Sequence, residues 1–96
     1  MPTLELLIPA DHPAFAGHFP GRPIVPGVVL LDQAQRLFEA ATQGTITGIA
    51  MAKFLSPVGP GESLWLDYES SGRFEIRAAE RKVASGRFTL QGPEIS

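Results

Sequence analysis

Apolar and polar positions along the chain alternate with two different periods. Thr3 to Ile8 places Leu4, Leu6 and Ile8 on one side and Thr3 and Glu5 on the other, which predicts a short strand. Leu7 interrupts the polar side, so that face is expected to be partly covered too. Between Pro9 and Pro26 five prolines forbid regular structure, and Phe15 and Phe19 are expected to anchor this loop to the core. The period then changes. Leu30, Ala34, Leu37, Phe38 and Ala41 recur at helical spacing and predict one helix from about Gly27 to Thr42, with Gly44 as the left-handed residue behind its end. Four strands are predicted after it. Thr45 to Phe54 places Ile46, Ala50, Ala52 and Phe54 on one face, with Thr47 and Lys53 on the other. Ser63 to Glu69, Arg73 to Ala79 and Val83 to Leu90 follow, with Leu64, Leu66, Tyr68, Phe74, Ile76, Ala78, Phe88 and Leu90 inward. Gly92 to Ser96 reads as a tail. One strand, a loop, one helix and four closely connected strands make an α+β layout, with the helix on one face of an antiparallel sheet.

The start of the helix departs from its own stripe. Val28, Val29, Leu30 and Leu31 are apolar on every side, and such a segment is normally buried on every side. The sheet covers one side; a second subunit is the expected cover for the other. Asp32 projects nearly opposite the apolar stripe, beside Val28, Gln35, Arg36 and Glu39.

The 96 residues form one domain, residues 1–96, small enough that association into a homodimer or larger assembly is expected. Apolar residues make up 44% of the chain, which suits a globular protein. No apolar run approaches the roughly 20 residues that span a bilayer. The start, Met1-Pro2-Thr3-Leu4-Glu5, lacks the basic region of a signal peptide. The absence of cysteine excludes disulfides and thiolate chemistry and fits a cytoplasmic protein. A net charge of −2 gives no general attraction to nucleic acid. Arg73, Arg77, Arg81, Lys82 and Arg87 crowd the last quarter, as a solvated sheet face or as a docking patch for an acidic partner.

Pro20, Gly21, Pro23, Pro26 and Gly27 stiffen the loop that carries His18. A stiff mount is what a positioned base requires, although an isolated histidine in a loop also serves to cap a turn. His12, in Asp11-His12-Pro13, has no such support and reads as a surface residue. Pro26 and Gly27 stand where a helix starts, so the N–H groups of Gly27, Val28 and Val29 are expected to lack helical partners. They point outward at the positive end of the helix, a seat for an oxygen that becomes negative. Asp32 is open to two readings: an exposed side chain paired with Arg36 at i+4, or an acid. Burial among Val28, Val29 and Leu31 would keep it partly protonated, as an acid must be.

The fifteen residues His18-Phe-Pro-Gly-Arg-Pro-Ile-Val-Pro-Gly-Val-Val-Leu-Leu-Asp32 closely resemble the signature of the 3-hydroxyacyl-[acyl-carrier-protein] dehydratases. A weaker likeness follows at Phe54-Leu-Ser-Pro57-Val-Gly-Pro60-Gly61-Glu62. The resemblance implies a hot-dog fold, a curved antiparallel sheet wrapped round one long helix. It implies that His18 and Asp32 form the catalytic pair, contributed by different subunits of a homodimer, and that Gly27 supplies an oxyanion N–H. It implies a 3-hydroxyacyl thioester on acyl carrier protein as substrate, and a trans-2-enoyl product. The residues suit that reaction. Removing a proton α to a thioester needs a base, a stabilised enolate oxygen and a protonated leaving group. His18 fits the first, the Gly27 and Val28 N–H groups the second, and Asp32 the third.

No metal or redox cofactor is needed, and two histidines without a nearby carboxylate pattern do not suggest a metal site. There is no G-x-S-x-G elbow, P-loop or dinucleotide fingerprint. Two rival functions share these features: a thioesterase in which a carboxylate activates water, and a non-catalytic thioester-binding subunit. Two departures bear on them. Arg36 stands where the family commonly carries Gln, with Gln35 one residue earlier, and a cation there is expected to pair with Asp32. The segment that often precedes the family's first strand, and that bears on the acyl tunnel, has no counterpart ahead of Thr3, so the preferred acyl chain length stays open.

Overall fold

The computed structural model describes residues 2–8, 25–59 and 61–91. The elements are β1 (Thr3–Leu6), α1 (Gly27–Thr42), β2 (Ile46–Phe54), β3 (Leu64–Tyr68), β4 (Arg73–Arg77) and β5 (Lys82–Leu90). The strands form one antiparallel sheet in the order β1-β3-β4-β5-β2, so β1 and β2 are its edges. The helix lies on one face, as its apolar stripe requires.

The core is the junction of that stripe with the inward residues of the sheet. Leu30, Ala34 and Phe38 of α1 are buried against Leu64, Leu66, Phe74, Ile76 and Phe88. Phe38 meets Tyr68 and Phe88 edge-on, with ring centroids 5.7 and 5.5 Å away, while Phe74 stacks on Phe88 at 4.3 Å. Such pairs add about 0.5–1.5 kcal/mol each beyond the area they bury. The stripe is one turn shorter than its spacing predicts. Ala41, in the last turn of the helix, is exposed.

The exit is also one residue earlier than expected. Gln43, not Gly44, is left-handed (φ 61°), and its N–H donates to Glu39 O at 2.8 Å. Thr42 Oγ1 accepts from Gly44 N–H, and the Glu39 carboxylate accepts from Ile46 N–H at 2.9 Å. These bonds turn the chain straight into β2 and hold the non-glycine in its left-handed state. Gly72, at φ 105°, does need to be glycine: a Cβ there would strike the Phe88 carbonyl oxygen.

β3 and β4 follow the predicted alternation, as does β5 beyond a register shift at its start that leaves Val83 and Ala84 both buried; β2 does not. Its register with β5 shifts between Ile46 and Gly48 and again between Ile49 and Met51. Each shift sets an extra residue against β5 and resets which side chain faces in. Pairing puts Ile46, Ile49, Ala52 and Phe54 opposite the inward positions Leu90, Phe88, Gly86 and Ala84. Ala50, expected inward, is an exposed bulge residue. Ile49 takes its place, yet remains 39% exposed on this edge strand.

At the other edge, Asp67 ties β1 to β3 and β4. Its carboxylate accepts from Thr3 Oγ1 and from Arg77 Nε at 2.8 Å, and Arg77 also lies over the Trp65 ring at 5.6 Å. Burial works to raise the Asp67 carboxyl, but these donors outweigh it and hold it below the usual carboxylate range. No helix among the described residues is long and apolar enough to cross a membrane.

Candidate active site

The helix begins without a side-chain cap. Pro26 occupies the N-cap position at φ −60°, ψ 144°, and its carbonyl accepts from Val29 N–H at 3.0 Å and Leu30 N–H at 3.3 Å. The expected set of free donors is therefore smaller by one: Val29 N–H is closed back onto Pro26. Among the described residues no acceptor meets the N–H of Gly27 or Val28, so both stand at the positive end of the helix.

The turn after β2 fixes where that helix end sits. Val25 N–H donates to Val58 O at 2.7 Å, and both side chains are buried. Glu62 accepts from Gly59 N–H at 2.9 Å and pairs with Arg81 at 2.6 Å, while Arg81 also donates to Pro57 O at 3.0 Å. One acid and one cation thus clamp the turn that holds the helix start. The Gly59 N–H, aided by Arg81 and opposed by partial burial, holds the Glu62 carboxyl below its usual range. Glu62 belongs to the Phe54–Glu62 run singled out from sequence. Arg81 gave no signal there, because it reaches the turn from the hairpin between β4 and β5.

Helix start, turn and the end of β2 enclose an apolar groove of about 680 Å³, lined among others by Val25, Gly27, Val28, Leu30, Leu31, Phe54, Leu55 and Val58. Phe54 lies against Gly27: a Cβ on Gly27 would come within 2.6 Å of the Phe54 ring. Absence of a side chain is what brings this aromatic wall beside the two donors. The wall is incomplete on its outer side. Val28 is 73% exposed, Phe54 52% and Leu55 53%. The all-round apolar start of the helix is thus bare in the single chain on the side that the sheet does not reach.

Asp32 follows Val28 by one turn. Within one chain its side chain is 54% exposed, on the side whose cover is expected from a second subunit, and it accepts from Arg36 Nε at 3.1 Å. The expected pairing with Arg36 is therefore present, on the wet side of the helix. His18 and His12 lie outside the described residues, so the structure places Gly27, Val28 and Asp32 on one helix end and does not report on the His18–Asp32 pair. Among the described residues no cluster of His, Asp and Glu could hold a metal ion.

The groove, the two donors and the helix laid on a five-stranded sheet can be set beside known proteins. The family model described as ApeI-like, ApeI dehydratase, matches residues 2–87. The 3-hydroxyacyl-[acyl-carrier-protein] dehydratase FabZ of Thermus thermophilus is 34% identical over 102 residues, covering 85% of this chain and 72% of its own. The FabZ of Syntrophotalea carbinolica is 41% identical over 69 residues, covering 62% of this chain and 47% of its own, so the match spans about half of that relative. The solved dehydratase heterocomplex ApeI:P from Xenorhabdus doucetiae superposes with a TM-score of 0.72 at 24% identity, covering 94% of this chain and 86% of its own. That superposition shows the hot-dog fold.

Proposed function

The chain belongs to the ApeI-like dehydratase family, and from that membership we propose that it dehydrates a 3-hydroxyacyl thioester carried by acyl carrier protein. The product is the trans-2-enoyl thioester. The observation that carries this reading is the pair of donors at Gly27 and Val28, opening on an apolar groove in a chain 34% identical to a FabZ. The groove suits an acyl chain; the donors suit a thioester oxygen.

His18 removes the proton from C2, and the electrons move onto the thioester oxygen. That enolate-like oxygen is held by the Gly27 and Val28 N–H groups, aided by the helix dipole. The electrons then return, the C2–C3 double bond forms, and the C3–O bond breaks. Asp32 gives its proton to the departing hydroxyl, which leaves as water. The proton taken by His18 restores Asp32 through solvent, and no metal or redox cofactor enters. The working unit in this reading is a cytoplasmic homodimer. The exposed apolar side chains Ile49, Phe54, Leu55 and Val28 support it, since a partner seated there completes the groove. Such a partner also covers Asp32 and brings its own His18 to it.

The test is incubation of the purified protein with a 3-hydroxyacyl carrier substrate, followed by mass spectrometry. Loss of water supports the dehydratase. Release of free acid would mean a thioesterase, and an unchanged substrate a non-catalytic subunit.

A further inference from the structure

Arg81, in the hairpin between β4 and β5, points its guanidinium at the turn that holds the helix start. Its Nη2 reaches Pro57 O at 3.0 Å and Glu62 Oε1 at 2.6 Å, and Glu62 Oε2 accepts from Gly59 N–H at 2.9 Å. Val58 O in turn accepts from Val25 N–H at 2.7 Å. Val58 O and Gly59 N–H belong to one peptide unit, and a peptide unit is planar. Glu62, itself held by Arg81, therefore orients the carbonyl that Val25 uses.

Val25 is where this orientation reaches the site. Among the described residues, its bond to Val58 is the one backbone hydrogen bond joining the chain that enters α1 to another part of the fold. The helix has no side-chain cap, and its first buried residue is Leu30. Gly27 and Val28 lie ahead of that anchor. Pro26, its φ fixed by the ring, passes any displacement of Val25 on to their N–H groups. The turn itself does not need Arg81 to form. Leu55 N–H and Ser56 N–H donate to Val83 O at 2.8 and 3.3 Å, Ser56 Oγ donates to Lys82 O at 2.8 Å, and the Val58 side chain is buried. The Arg81 and Glu62 side chains are 43% and 32% exposed, and ion pairs this open to water add little stability.

We propose that Arg81 is a positioning residue: through Glu62 and the Val58–Gly59 peptide it sets where the Gly27 and Val28 N–H groups stand. Its effect on rate rests on the dehydratase reading; its effect on the two donors does not. A donor to the enolate oxygen is used in full only as charge arrives there, so a misplaced pair shows in kcat and little in KM.

The experiment compares native protein with R81A and R81K by 15N–1H NMR, thermal melting and turnover of a 3-hydroxyacyl thioester. In R81A the Gly27 and Val28 amide resonances are expected to move, while those of Leu66 and Ile76 in the middle of the sheet stay in place. The melting temperature should fall by no more than about 5 °C. Turnover should show kcat lower by about tenfold or more and KM changed by less than about threefold. Millimolar guanidinium, far below the molar concentrations that unfold proteins, should return the two resonances and much of kcat, where sodium chloride at the same concentration does neither. R81K keeps the charge on a flexible stem without the planar fork and should fall between native and R81A; it carries the same comparison if R81A does not fold. Unmoved Gly27 and Val28 resonances in a folded variant overturn the proposal. So does a loss of kcat that follows the melting temperature and does not respond to guanidinium, the behaviour of a residue kept only for structure. Donors that move in the variants, with no thioester dehydrated by the native protein, sink the dehydratase reading and leave the positioning of the two N–H groups standing.

Discussion

Gly27→Ala separates a requirement of the site from a requirement of the fold. Gly27 sits in the first helical turn with ordinary backbone angles, so alanine brings no dihedral strain and a helix-propensity gain of up to about 1 kcal/mol. The cost is steric. The new methyl would stand 2.6, 2.8 and 3.1 Å from three atoms of the Phe54 ring. To regain an ordinary 3.4 Å contact the ring must withdraw by about 0.8 Å. Overpacking in a closed core costs about 1–3 kcal/mol, but this ring is 52% exposed and has room to turn. The two effects nearly cancel, and the melting temperature is expected to stay within about 5 °C of native, equivalent to about 1 kcal/mol for a domain this small. Activity is expected to respond much more. The displaced ring borders the Gly27 and Val28 donors, and a misplacement of about 1 Å at a reacting centre costs on the order of 100-fold. The assay is kcat/KM on a 3-hydroxyacyl thioester beside a thermal melt, with the G27A/F54L double variant as control. The smaller side chain at position 54 should recover most of the lost rate. Full activity in G27A would refute the placement of the ring at the reacting centre. A melting temperature lower by more than 10 °C would show that the ring is not free to move.

Other outcomes follow from the same structure. His18→Ala and Asp32→Asn should each lower turnover by about 100-fold or more, the scale of a lost acid–base group, and the double variant should lose little beyond that. Wild-type turnover in both would remove them from the mechanism. If the site is shared between subunits, refolding the two inactive variants together should restore activity, up to about a quarter of native for random pairing; heterodimers without activity would place the site within one chain. Ile49→Asp, on the uncovered edge of β2, should weaken the dimer at least tenfold by light scattering or sedimentation, whereas a native protein that is already a micromolar monomer would rule that interface out. Glu62 ionises more readily folded than unfolded, so its contribution is present above the ordinary glutamate value and is lost as pH falls through the lower folded value. Glu62→Gln should therefore cost about 1 kcal/mol at pH 7 and flatten the fall in melting temperature as pH drops below the ordinary glutamate value. Parallel pH curves for the two proteins would show that the clamp does not depend on charge.

What the sequence determined by itself was mostly local. A helix from Gly27 to Thr42 followed from the spacing of Leu30, Ala34 and Phe38 and from the Pro26-Gly27 start, because helical period and capping depend on neighbours within a few residues. Period-two runs likewise marked β3, β4 and β5, where each strand has neighbours on both sides and its inward residues are buried in the core. The family signature from His18 to Asp32 pointed to the chemistry. Tertiary structure decided what depends on distant partners. The bulges of β2 arise from its register with β5, so no count along the strand could show that Ile49 replaces Ala50 on the inner face. Glu39 and Thr42 end the helix at Gln43 by reaching the chain beyond it. Phe54 and Gly27 are 27 positions apart, and only folding presses the ring against the missing side chain. Asp32 is the plainest case: the sequence leaves it open between an acid and a partner of Arg36, and packing in the single chain puts it on the uncovered face of the helix, paired with Arg36.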